Sequence, residues 1–286
     1  MSEASDEMRP AERAEAANAA RRQSGEPSAQ SARPALEGTK TRAATRPRAQ
    51  TDSMAQRDSA SARKPSARSA RPALEGVIKI CGLNDAASMA AAVEGGADFV
   101  GFVFFPPSPR AVTPAIAASL ARPGPGKAGL FVDPRDAAIA EVLAALPLDL
   151  IQLHGDETPA RCAEIRARFG LPVMKALGIG SAADLDQLAA YAPVVDRFLL
   201  DAKAPPGAPL PGGNAAPFDW TLTAGRDIPR PWLLAGGLTP ENVGAAIAVS
   251  GARGVDVSSG VESARGVKDP ARIKAFIAAA RSAGLT

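Results

Sequence analysis

From residue 77 onward the chain repeats one unit eight times: a short run of β-branched and other apolar residues, then an Ala-rich stretch with helical spacing and a capping residue in front. The strand-like runs fall at 77–81, 99–104, 128–132, 150–154, 173–177, 198–201, 232–235 and 255–257. Helices are predicted at about 85–94, from Pro114, at 136–145, up to Phe169, up to Tyr191, a short one at 219–223, one with Thr239 as N-cap and Pro240 at N1, and a last one at 270–281. Eight βα units in about 210 residues predict a closed (β/α)8 or TIM barrel rather than an open doubly wound sheet. An open dinucleotide-binding sheet would also carry G-x-G-x-x-G after its first strand, and Gly82-Leu83-Asn84 is not that. In a barrel the chemistry sits at the C-terminal ends of the strands, so the residues that end each run are the candidates.

Residues 1–76 are unlike the rest. All twelve aromatic residues lie from Phe99 onward, and the first segment is mostly Ala, Arg, Ser, Pro, Glu and Gln. Such a composition buries too little apolar surface to offset chain entropy, so a disordered low-complexity tail is predicted ahead of a catalytic barrel at 77–286. The tail holds 14 Lys and Arg against 10 Asp and Glu, leaving 19 against 20 for the barrel, so the basic balance of the chain belongs to the tail. Its repeated octapeptide, at 31–38 and 69–76, has no apolar face to stack on a neighbour and reads as a local duplication. Ten acids argue against an organellar transit peptide, and mixed charge without aromatics argues against nucleic-acid binding. A solvated extension or an over-long start is the favoured reading. No apolar run approaches the roughly 18 to 20 residues of a membrane span. Two cysteines and one histidine exclude a disulfide framework and a clustered Cys/His zinc site, and a reducing cytoplasm fits best.

Alternation places Lys79 and Cys81 on the inward side of strand 1 and Ile78 and Ile80 toward the helices. A cysteine can be an inert small core residue, but one at a strand's functional end beside a same-face cation is a reactive candidate, because the cation favours thiolate. Cys162, on a helix, keeps the inert reading. After strand 2, Pro106-Pro107-Ser108-Pro109 forms a stiff loop that would hold Arg110 over the mouth, either as a solvated charge or as a preorganised grip on a carboxylate or phosphate. Gln152 and His154 share the inward face of strand 4, where a lone His serves as a hydrogen-bonding residue more readily than as a metal ligand. Strand 6 runs through three apolar residues into Asp201, a loop cap or a general acid. The loops after strands 7 and 8 carry Gly236-Gly237 and Asp256 to Gly260, including Ser258 and Ser259; these are either tight turns or a cradle of backbone amides for a phosphate.

Taken together these stretches resemble the phosphoribosylanthranilate isomerase family. They are Lys79-Ile80-Cys81-Gly82-Leu83, Gly101-Phe102-Val103-Phe104, Ser108-Pro109-Arg110, Gln152-Leu153-His154-Gly155, Leu199-Leu200-Asp201, Phe218-Asp219-Trp220, 234–242 and 254–262, in one order over the whole barrel. The resemblance implies an Amadori rearrangement in tryptophan biosynthesis: N-(5-phosphoribosyl)anthranilate becomes 1-(2-carboxyphenylamino)-1-deoxyribulose 5-phosphate. It implies Asp201 as the acid at the furanose oxygen and Cys81 as the base at C2′. Arg110 would hold the anthranilate carboxylate, and the amides near Gly236, Gly237, Ser259 and Gly260 the phosphate. Asp256, His154 and Ser258 would line the rest of the substrate site. It calls for no cofactor, metal, membrane or nucleic-acid partner, and for a monomer or homodimer.

The loop at 211–217 departs from the family's Gly-Gly-Thr-Gly pattern, which bears on loop closure and not on the reaction. Other phosphosugar barrels, such as indole-glycerol-phosphate synthase or a ribulose-phosphate epimerase, would need a lysine acid or metal-binding histidines at other strand ends, and these are missing. A non-catalytic phosphosugar-binding barrel would have no reason to keep both Cys81 and Asp201.

Overall fold

A computed structural model describes residues 76–204 and 219–286; the tail and the 211–217 loop read from the sequence lie outside the described residues, apart from Gly76. Eight parallel strands close into a barrel in sequence order: β1 (Val77–Cys81), β2 (Phe99–Val103), β3 (Gly126–Phe131), β4 (Leu150–Leu153), β5 (Val173–Ile179), β6 (Arg197–Ala202), β7 (Trp232–Leu234) and β8 (Gly254–Val257). The expected barrel is therefore found. Between strands lie α1 (Ala86–Gly95), α2 (Pro114–Leu120), α3 (Asp136–Ala145), α4 (Pro159–Phe169), α5 (Leu188–Tyr191), a 3-10 turn at Trp220–Thr223, α6 (Val243–Ser250) and, after β8, α7 (Pro270–Ser282).

The two periodicities sort the side chains as physics requires. Ile78 and Ile80 pack outward in one large apolar cluster with the helices, while Phe99, Leu150, Met174, Leu199 and Leu233 fill the barrel interior. Helix starts follow local chemistry: Thr113, Thr158 and Asp269 each accept from the first-turn amides, with proline next in the chain. Thr239-Pro240 follows the same rule: Thr239 Oγ1 accepts from Glu241 N at 3.2 Å and its carbonyl from Val243 N at 3.0 Å. Asn242 Oδ1 accepts from Thr239 N at 2.7 Å and its Nδ2 donates to the Gly237 carbonyl at 2.9 Å, which ties the segment into a turn. The regular helix runs from Val243, with the Thr239-capped turn leading into it, so the expected cap stands and only the start of regular helix moves on from Pro240.

The barrel ends are joined by one guanidinium. Arg281 of α7 donates to the carbonyls of Gly76, Leu285 and Gly96 and to Asp98 Oδ2, and that same carboxylate oxygen accepts from Ile78 N. A feature absent from the sequence reading follows β8: a short 3-10 turn, then an antiparallel hairpin of β9 (Glu262–Ala264) and β10 (Val267–Lys268). It lies against the loop after β2, since a Cβ on Gly266 would come 2.9 Å from the Pro109 carbonyl oxygen.

Candidate active site

Midway along β1, Lys79 is fully buried and donates to Asp256 Oδ1 on β8 at 2.6 Å. Gly101 on β2 leaves the room this needs, because a Cβ there would stand 2.9 Å from Cys81 Sγ and 3.2 Å from Lys79 Nζ. Burial acts to lower Lys79, but Asp256 and Cys81 outweigh it and raise the ammonium above its ordinary value. Lys79 favours the Cys81 thiolate in the expected sense, but it does not act alone. Burial pushes the Cys81 thiol up; Lys79 pulls the other way, yet its charge is answered by Asp256, whose carboxylate also raises the thiol. Desolvation of the anion wins over one neutralised cation.

Asp201 ends β6 on the inward side, largely buried, with Oδ1 accepting from Ala202 N at 2.8 Å. His154 Nε2 lies 3.4 Å from its Oδ2, and His154 Nδ1 lies 3.0 Å from Gln152 Nε2. The structure thus joins three residues that alternation had placed at the mouth of strands 4 and 6. Gly236 is required here: its φ is +82°, and a Cβ would come 2.5 Å from Ala202 N and 3.0 Å from Asp201 Oδ1.

The loop after β4 is pinned by a pair that sequence reasoning missed. Glu157 accepts from the amides of Asp133 and Gly155, and Lys175 of β5 pairs with its Oε2 at 2.8 Å while also donating to the Gly155 carbonyl. A lysine inside the apolar run Val173-Met174-Lys175-Ala176-Leu177 was the signal to follow, since such a residue is buried only with a partner.

Arg110 is 5% exposed, and its fork is held by Glu262 of β9, with Nε to Oε1 at 2.6 Å and Nη2 to Oε2 at 2.9 Å. It is neither a solvated charge nor braced by proline alone. Nη1 has no partner among the described residues. Lys268 of β10 completes the cluster, donating to Glu262 Oε1 at 2.8 Å and to the Ser258 carbonyl and hydroxyl. Burial alone would raise Glu262, but Arg110 and Lys268 hold its carboxyl at about 2. Lys268 itself is lowered, because burial costs it more than Glu262 returns. Both move down, which favours the charged form of Glu262 and disfavours that of Lys268, since Glu262 is shared by two cations while Lys268 has one carboxylate.

The amides of Gly236, Gly237, Ser259 and Gly260 donate to no acceptor among the described residues. A Cβ on Gly260 would overlap the Leu238 carbonyl, so close contact between the last two loops also demands glycine there. Among the described residues no three His, Cys, Asp or Glu side chains gather where a metal could be held, and no helix is long and apolar enough to cross a membrane.

The model of the N-(5′-phosphoribosyl)anthranilate isomerase family matches residues 78–279. The isomerase of that name from Paracoccus denitrificans is 64% identical over 206 residues, which are 71% of this chain and 96% of the relative. That from Paramagnetospirillum magneticum is 59% identical over 207 residues, again 71% and 96%. Among solved structures, phosphoribosyl anthranilate isomerase from Thermotoga maritima matches with a TM-score of 0.65 at 38% identity, over 72% of this chain and 98% of that one. Another isomerase structure, in complex with reduced 1-(o-carboxyphenylamino)-1-deoxyribulose 5-phosphate, matches with a TM-score of 0.62 at 35% identity and the same coverage.

Proposed function

The chain belongs to the N-(5′-phosphoribosyl)anthranilate isomerase family of tryptophan biosynthesis, and we propose that its barrel mouth divides that isomerisation between Asp201 as acid and Cys81 as base. The observation that carries this division is that both groups end inward-facing strands of one mouth, and each has a partner suited to its role, His154 beside Asp201 and Lys79 beside Cys81. Asp201 gives its proton to the furanose oxygen as the C1′–O bond breaks, leaving an iminium. Cys81, as thiolate, then takes the C2′ proton, and the enolamine tautomerises to the ketone. One group loses a proton and the other gains one, so the enzyme resets by exchange with water. The iminium's positive charge beside Sγ adds to that of Lys79 in favouring the thiolate, which offsets the raised resting thiol.

Arg110 Nη1 is positioned for the anthranilate carboxylate, and the unpaired amides of Gly236, Gly237, Ser259 and Gly260 for the phosphate. Asp256 works mainly by holding Lys79. Two free cysteines suit the cytoplasm, with the chain a monomer or homodimer. The test is turnover of N-(5′-phosphoribosyl)anthranilate followed by loss of its fluorescence. Inorganic phosphate is expected to inhibit competitively, and Arg110→Ala to raise KM, with roughly 2 to 4 kcal/mol of interaction lost. Phosphate that leaves the rate unchanged at high concentration would contradict the assignment of the last two loops.

A further inference from the structure

His154 stands between two groups, and the tautomer of its ring decides what it offers each of them. Gln152, two residues earlier on the same inward face, is wholly buried, and its Oε1 meets no donor among the described residues. Its Nε2 lies 3.0 Å from His154 Nδ1. With the amide donating, one carbonyl oxygen is left over. Turning the amide over would strand an entire NH2 group instead, and would require the ring proton to sit on Nδ1. Nε2 would then face the Asp201 carboxylate, 3.4 Å away, with a lone pair.

We propose that Gln152 is a positioning residue: by donating to Nδ1 it fixes neutral His154 as the Nε2–H tautomer, so that the ring always presents a donor to Asp201 Oδ2. This rests on the reading of Asp201 as the acid. Ala202 N holds Oδ1 and His154 Nε2–H holds Oδ2, which leaves each oxygen one further lone-pair site for the catalytic proton. When that proton passes to the furanose oxygen, the new carboxylate already has both its donors in place. His154 keeps its own proton, and none travels along Gln152.

His154 is the single histidine of the chain, so nitrogen-15-labelled histidine in the full-length protein reports this ring alone. In the neutral ring the wild-type spectrum is expected to show Nε2 protonated and Nδ1 bare. Gln152→Glu, in its ionised form, accepts at Nδ1 and should put a proton there, lowering kcat about tenfold or more with KM changed less than about threefold. Gln152→Met, similar in length but unable to donate, should give both tautomers and a kcat between the two. A neutral wild-type ring protonated on Nδ1 overturns the proposal without any variant, so a misfolded Gln152→Glu does not protect it. It is equally overturned if folded Gln152→Met keeps the Nε2–H form alone or turns over within about twofold of wild type. Normal turnover by Asp201→Asn would overturn the acid assignment instead, a result on which the spectrum does not depend.

Discussion

Cys81→Ala and Asp201→Asn are each expected to lower kcat by on the order of 10²-fold or more while affinity for a product analogue changes little, because each removes a proton-transfer group and leaves the binding groups in place. Cys81→Ser should fail almost as badly, since a hydroxyl is a far weaker base than a thiolate. Cys162→Ser should be near normal: that thiol is fully buried in the helix layer, and burial pushes it up to about 11. The raised Cys81 adds a pH signature. Its thiolate is the reacting form, so the active fraction grows as pH rises toward and past the ordinary thiol value, and kcat/KM should climb through the alkaline range until other groups titrate. Alkylation of Cys81 should be slow at neutral pH, accelerate over the same range and be slowed by substrate. A rate that is flat with pH between neutral and alkaline conditions, or a Cys81→Ala enzyme with near-normal kcat, would show that the base has been misassigned.

Which parts of this site were legible in the chain follows from what each part depends on. The barrel depends on local periodicity repeated eight times, and local periodicity is what a sequence displays. The inward positions Lys79, Cys81, Gln152, His154, Asp201 and Asp256 depend only on strand alternation and on where each run ends, so they too were readable. The charge state of Cys81 is different in kind. It depends on how much water is lost around Sγ and on Asp256, 177 residues beyond Lys79, neutralising the cation that was expected to act alone. Arg110 was recognised as a candidate, but Glu262, its partner, lies 152 residues away on a hairpin too short to show a strand pattern. Thr239 was legible as a cap because Thr-Pro is a local helix-start signal; only the point where its turn becomes regular helix, at Val243, was not.

Glu262→Ala is expected to be the most destabilising single change at the mouth. It would leave Arg110 and Lys268, each 5% exposed, as neighbouring buried cations with no counter-charge, at a cost of about 3 to 5 kcal/mol. For a domain of this size that is a fall in Tm on the order of 10 °C. The wild type should show the same dependence on pH. Glu262 is held at about 2 when folded against an ordinary 4.5, so its contribution is complete above 4.5 and is lost as pH falls from there through about 2. Urea unfolding between those limits should therefore reveal a slope, on the order of 2 to 3 kcal/mol in total, that Glu262→Gln flattens. Binding should respond at two places at once. Glu262 orients Arg110 at one end of the site and, through Lys268, the Ser258 turn at the other. Glu262→Gln is thus expected to raise KM for the substrate and to weaken inhibition by inorganic phosphate together, whereas Arg110→Ala should act on the substrate and spare phosphate. Phosphate inhibition unchanged in Glu262→Gln would mean that the carboxylate braces Arg110 alone, and that the Ser258 turn keeps its shape without it.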